Sequence, residues 1–217
     1  MLFITGTDTD IGKTHVSGVI ASKVNKFKKT GYMKPVETGG RPDTNKIMKL
    51  LDMKNVEGGE VSVDIVNPIN FKNPLSPNIS SIVENSEDKM DFEKIKESFE
   101  YLKNIYEYIV VEGAGGACVP LKKGYYVADI AKMLDIPCVV VARPDLGTIN
   151  HTILTTEFLK NRGVNVLGII INSVCDLKDI PYYEETFKTI EEYSGFKIIG
   201  IIEKDKVKLD MDVLLNI

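Results

Sequence analysis

An α/β fold, with a mostly parallel central sheet flanked by helices on both faces, is predicted by three observations. Apolar runs and helix-periodic segments alternate along the chain, the pattern of strand–helix–strand units. The runs Ile109-Val110-Val111, Cys138-Val139-Val140-Val141 and Leu167-Gly168-Ile169-Ile170-Ile171 are continuously apolar rather than alternating, so those strands must be covered on both faces. A glycine-containing loop also stands between the first apolar run and the first helical pattern, at the strand ends where such sheets hold ligands. At 217 residues the chain is read as one domain over 1–217, large enough for a substantial core.

The elements follow in order. Met1 to Thr5 is apolar and β-branched, which places a strand at 2–5. Val16, Val19, Ile20, Val24 and Phe27 recur at helical spacing and predict a helix over 13–28. A strand at 31–36 and a helix at 43–53 come next. The stretch from about 55 to 88 breaks the alternation: Gly58-Gly59, Pro68, Pro74 and Pro77 stand among several Asn and Ser. It reads as a long excursion with one short strand at 61–66, the kind of segment that is either functional or mobile. The helix over 91–104 has Asp88 and Asp91 near its start, where they favour the macrodipole. Strands at 107–111, 137–142, 164–171 and 197–202 then alternate with helices at 126–135, 149–162 and 181–194. Crossovers between parallel strands are right-handed by rule.

Bulk composition narrows the function classes. A formal charge of −4 gives no electrostatic reason to expect nucleic acid or an anionic membrane as partner. Cys118, Cys138 and Cys175 lack metal-ligand spacing, and with only His15 and His151 beside them a zinc site is not expected. The opening Met-Leu-Phe-Ile-Thr-Gly has no basic n-region, and the apolar run from Ile136 to Ala142 is too short to span a bilayer. A cytoplasmic location is expected.

Three motifs carry the chemistry. In Gly6-Thr7-Asp8-Thr9-Asp10-Ile11-Gly12-Lys13-Thr14 the glycines allow a tight turn whose N–H groups face phosphate oxygens, and the following helix adds partial positive charge. Lys13 can reach the β- and γ-phosphates, and the Thr14 hydroxyl can ligate Mg²⁺. This makes the fold P-loop NTPase-like, although five residues rather than the usual four separate the first glycine from Gly12-Lys13-Thr14. The second motif is Lys34-Pro35-Val36-Glu37-Thr38-Gly39-Gly40 at the end of the second strand. Lys34 has two readings: a solvated surface side chain, the ordinary place of a lysine, or a second cation on a transferred phosphoryl group. The third is Tyr108-Ile109-Val110-Val111-Glu112 followed by Gly113-Ala114-Gly115-Gly116, an apolar strand ending in an acid that can help hold Mg²⁺. Asp43, at the start of a helix, is either an N-cap or a further oxygen ligand.

Taken together, these motifs resemble those of the dethiobiotin synthetases. The loop with its five-residue gap, Lys34-Pro35-Val36 with Thr38-Gly39, and Glu112 to Gly116 followed by Val119-Pro120-Leu121 are similar to that family's motifs. So are Leu146-Gly147-Thr148-Ile149-Asn150-His151-Thr152 and the Val66-Asn67-Pro68 and Ser76-Pro77 excursion. The resemblance implies an ATP-dependent ligase of biotin biosynthesis that makes dethiobiotin, ADP and phosphate from 7,8-diaminopelargonic acid, CO₂ and ATP. It implies a carbamate and a carbamic-phosphoric anhydride on the way. Lys13, Lys34 and Thr9 would be catalytic. Asp10, Ile11, Gly12, Lys13, Thr14, His15, Asp43, Glu112, Gly113, Ala114, Gly115 and Asn172 would bind nucleotide, and Thr14, Asp43 and Glu112 would hold Mg²⁺. Thr38, Gly116, Val119, Pro120 and Gly147, Thr148, Ile149, Asn150 would meet the substrate, the last four from the other subunit of a homodimer.

The chain departs from the family near its C-terminal end. Gly200-Ile201-Ile202-Glu203-Lys204 stands where the family has Gly-x-Ile-Pro, which implies a rebuilt loop on the adenine side. Two other readings compete. A cobyrinate-type amide synthase needs a glutaminase domain, for which this length leaves no room. A switch ATPase of the MinD or ParA type carries a lysine near the start of its loop, and positions 5–11 contain none.

Overall fold

In the computed structural model, which describes residues 1–217, the first half of the chain runs through β1 (Leu2–Gly6), α1 (Lys13–Val24), β2 (Thr30–Met33), β3 (Val36–Thr38), α2 (Pro42–Leu51), α3 (Val63–Val66), β4 (Ile69–Phe71), α4 (Pro77–Val83) and α5 (Phe92–Lys103). The second half comprises β5 (Tyr108–Glu112), β6 (Pro120–Lys122), β7 (Tyr125–Tyr126), α6 (Val127–Met133), β8 (Cys138–Ala142), α7 (Thr148–Asn161), β9 (Val166–Asn172), α8 (Tyr183–Ser194), β10 (Ile198–Ile202), β11 (Val207–Leu209) and α9 (Met211–Leu215). Seven strands make the central sheet in the order β11-β10-β9-β8-β1-β5-β2. All neighbours are parallel except the β10–β11 edge pair. Every residue of β1, β5 and β8 is buried, as strands with helices on both faces require.

The sheet brings the three motifs together. β1 sits between β5 and β8, and β2 pairs with the far side of β5. The register sets Ile4 beside Glu112 and Met33 beside Val111, so one step further along β2 brings Lys34 abreast of Glu112.

Where the elements differ from expectation, the reasons are local. The helix expected over 13–28 ends at Val24, and the Asn25 carbonyl oxygen Oδ1 accepts the Thr30 N–H at 3.0 Å and closes the turn into β2. Phe27, counted as part of the apolar stripe, is exposed. The strand expected at 31–36 splits. Pro35 has no N–H to continue the ladder, and the chain crosses instead to the excursion: Lys34 N–H donates to the Val66 carbonyl at 2.9 Å and Ile69 N–H to the Pro35 carbonyl at 3.2 Å. β3 then pairs in parallel with β4 as a separate two-stranded sheet. The strand expected at 61–66 is a correction: Val63–Val66 is a short helix, because the Ser62 side chain accepts the Asp64 N–H and caps it. Asp91 caps α5, accepting from the Glu93 and Lys94 N–H groups. After β10 the chain turns back on itself, with Glu203 N–H donating to the Lys206 carbonyl at 2.8 Å, and β11 follows.

Candidate active site

The floor of the site is the loop from Gly6 to Thr14. Two positions in it demand glycine or a left-handed backbone. Gly12 has φ 85° and Asp10 has φ 56°, and a Cβ on Gly12 would run into the Asn172 amide. That amide donates to the Ile11 carbonyl at 2.9 Å, so β9 anchors the loop. No side chain caps α1, which leaves its first N–H groups available to an anion.

Lys13 is buried and its Nζ donates to the Asp8 carbonyl at 2.7 Å. Burial lowers its ammonium to a pKa of about 8; Glu112 opposes that shift and Lys34 adds to it. Lys34 is also buried, so the surface reading does not hold. Its Nζ donates to Glu112 Oε1 at 2.8 Å and is ion-paired with Asp43. Burial pulls its pKa down, but Glu112 and Asp43 outweigh that and hold it above the ordinary lysine value.

Glu112 is the hub. It is fully buried at the end of β5. Oε1 accepts the Thr14 hydroxyl at 2.7 Å as well as Lys34, and Oε2 accepts the Tyr32 hydroxyl at 2.9 Å. Asp43 lies inside the first turn of α2 rather than at its N-cap, which is Arg41. The N-cap reading of Asp43 is therefore corrected. The buried Glu37 carboxylate takes the capping role: it accepts the Asp43 N–H at 2.8 Å and the Thr44 N–H and hydroxyl. Burial pushes Glu37 above the usual carboxylate range, with Thr44 and Lys34 opposing.

The oxygen set fits Mg²⁺. Thr14, Glu112 and Asp43 offer one hydroxyl and two carboxylates, linked through the Lys34 ammonium. No group of three or more acidic, His or Cys side chains is arranged to hold a metal unaided. A cation held by one or two carboxylates and completed by phosphate and water is the mode Mg²⁺ prefers.

Above these groups lies a cleft of about 640 Å³. Thr9, Asp10, Gly12, Lys13 and Thr14 form one side, Lys34, Glu37, Thr38 and Asp43 a second, and Glu112, Ala114, Gly115 and Val119 a third. Pro74, Leu75, Ser76 and Pro77 of the excursion close it. The β3–β4 pairing brings the excursion there, helped by Gly39 N–H donating to the Phe71 carbonyl at 3.0 Å and by Ser80 donating to the Asn73 carbonyl at 3.0 Å.

Other expected residues lie outside this cleft. Ile11 is buried beneath Gly6, and His15 is exposed. Gly113 packs against Phe3 and Val127, and Gly116 against the backbone of Gly6 and Asp8. Pro120 is exposed in β6 and borders a second, smaller cleft with Lys122. Gly147, Thr148, Ile149 and Asn150 open α7 and do not enter the cleft of their own chain. Asp145, Leu146, Gly147 and Asn150 are exposed there.

Tyr32 and Glu37 were missed by sequence reasoning. A signal existed for Tyr32: residues two apart on extended chain point to the same side, and Tyr32 stands two before Lys34. For Glu37 no local signal distinguishes a buried cap from a solvated acid.

A family model described as an AAA domain matches residues 1–208. The ATP-dependent dethiobiotin synthetase BioD of Methanocaldococcus jannaschii is 50% identical over 220 residues, covering 100% of both chains. That of Methanococcus vannielii is 52% identical over 208 residues, 95% of this chain and 94% of that protein. That of Bacillus velezensis is 42% identical over 205 residues, 93% and 85% respectively. Among solved structures, the septum site-determining protein MinD of Pyrococcus horikoshii, complexed with Mg-ADP, superimposes with a TM-score of 0.59 at 17% identity, covering 94% of this chain and 81% of that one. A ParA family ATPase from Chlorobium tepidum gives 0.56 at 12% identity, covering 94% and 84%. These structural likenesses establish the P-loop NTPase fold alone.

Proposed function

The chain belongs to the dethiobiotin synthetase family, and on that premise we propose that it closes the ureido ring of dethiobiotin from 7,8-diaminopelargonic acid, CO₂ and ATP. One amine of the diamine adds to CO₂ and loses a proton, giving a carbamate. A carbamate oxygen attacks the γ-phosphorus of ATP, the bond to the β–γ bridging oxygen breaks, and ADP leaves. The second amine attacks the carbonyl carbon of the resulting carbamic-phosphoric anhydride and gives up a proton, and phosphate departs with the electron pair of the C–O bond.

The difficulty is electrostatic. An anionic nucleophile must approach an anionic triphosphate, and preorganised cations at that point lower the barrier most. The observation that carries the reading is the pair of buried lysines: Lys34 joins Glu112 and Asp43 in the cleft that Lys13 and Thr14 also line. Lys13 and the uncapped N–H groups of α1 bind the β- and γ-phosphates. Lys34 orients the carbamate and carries charge developing on the transferred group. Thr9 and Asp10 border the same end of the cleft, and Thr38, with Val119 opposite, borders the diamine. Mg²⁺, held by Thr14, Asp43 and Glu112, neutralises phosphate charge when bound. Asn172 lies on the adenine side. Gly147 to Asn150, which stay outside their own chain's cleft and expose Gly147 and Asn150, serve the site of a partner subunit, while Gly116 and Pro120 meet the substrate of their own.

The test is isotopic. Incubation with ATP, Mg²⁺, the diamine and ¹³C-bicarbonate is expected to give dethiobiotin one mass unit heavier, with the label in the ureido carbonyl. ATP consumption with no labelled product would contradict the assignment.

A further inference from the structure

The Tyr32 hydroxyl has no role in the chemistry above, yet it is placed with care. Tyr32 is fully buried in β2, on the strand next to the one that ends in Glu112. Its hydroxyl donates to Glu112 Oε2 at 2.9 Å. The two carboxylate oxygens are therefore divided: Oε1 faces Thr14 and Lys34, and Oε2 faces the phenol.

We propose that Tyr32 is a positioning residue that restricts Glu112 to one coordinating oxygen and so selects Mg²⁺ over larger divalent cations. This rests on the reading of Glu112 as a metal ligand. Mg²⁺ demands near-ideal octahedral geometry, whereas Ca²⁺ accepts six to eight oxygens and readily takes a carboxylate by both of them. A hydrogen bond that engages Oε2 removes the second oxygen from that choice. Partners one shell out from a metal tune it in this way. Other groups that reach Glu112 do not do so: Thr14 and Lys34 both contact Oε1.

The test compares Tyr32→Phe with the wild type. Binding of a non-hydrolysable ATP analogue is measured by calorimetry with Mg²⁺ and then with Ca²⁺, and the ratio of the two affinities is the readout. The wild type should favour Mg²⁺, and the variant should lose about tenfold of that preference, the size typical of losing a hydrogen bond to a metal ligand. Tyr108→Phe is the control. Tyr108 is also fully buried, and its hydroxyl has no partner, so that variant should keep the wild-type ratio. An unchanged ratio in a Tyr32→Phe protein that still binds would overturn the proposal and leave the metal reading standing. A wild type whose analogue binding ignores both metals would overturn the metal reading itself, and this proposal with it. A measurement on the unaltered chain stands independently of any variant. The infrared separation of the antisymmetric and symmetric carboxylate bands, in metal-minus-free difference spectra with the analogue bound, should be that of one-oxygen coordination with either ion. The narrower separation of two-oxygen coordination with Ca²⁺ would overturn the proposal.

Discussion

Lys13 and Lys34 are both buried cations within one cleft, but removing them should have opposite effects on the fold. Lys34 is held above its ordinary value by Glu112 and Asp43. Lys34→Met would leave the fully buried Glu112 without its cation, which should destabilise the protein by about 2 kcal/mol at pH 7. Lys13 is lowered to about 8 from 10.5. Between those two values the unfolded chain binds more protons than the folded one, so this group's contribution to stability rises with pH from about 8 and levels off near the unfolded value. Below that window the buried ammonium costs stability. Lys13→Met should therefore raise stability at pH 7 by roughly 1–2 kcal/mol, and it should remove the rise between pH 8 and 10. Both variants should lose ATP-dependent product formation. Denaturant unfolding at several pH values checks the pair; a Lys13→Met protein less stable than wild type at pH 7 would contradict the account.

At the scale of elements, α2 is held by Glu37 rather than by a residue of its own first turn. Glu37→Ala should cost about 1 kcal/mol, the usual worth of a helix cap. Because the cap also places Asp43, the Mg²⁺ concentration for half-maximal ATP binding should rise several-fold. Thermal unfolding and a Mg²⁺ titration measure the two effects, and an unchanged titration would mean that the Glu37 cap does not set Asp43 for the metal. The same region shows what the sequence could tell. The main strands were legible because strands covered on both faces are continuously apolar, as in Cys138 to Val141. The Gly6–Thr14 loop was legible because glycine, lysine and hydroxyl at that spacing need only each other. The excursion was not. Whether Val63–Val66 is helix or strand turns on the Ser62 cap and on the Lys34-to-Val66 hydrogen bond, a contact between segments some thirty residues apart. β11 and α9 are three and five residues long, too short for periodicity to register.

At the scale of the molecule, the exposed stretch from Asp145 to Gly147 and the residues that follow into α7 are expected to complete the site of a second copy. Lys13→Met and Asn150→Leu should each be inactive alone. If the site is shared, mixing them under subunit exchange restores one intact site in each mixed dimer, or about a quarter of wild-type activity for random pairing. No recovery with exchange demonstrated by mass spectrometry would show that each chain works alone. The shape of the molecule does not decide the chemistry: the MinD and ParA likenesses share the sheet at 17% and 12% identity, and the reaction depends on what the strand ends carry.

On the proposed function, the paired lysines couple phosphoryl transfer to a carbamate made in the same cleft. Phosphate release from ATP and Mg²⁺, measured with and without the diamine and bicarbonate, tests it most directly. Release should require both co-substrates and should match dethiobiotin formation one for one. Release that proceeds at the same rate without the diamine would contradict the account.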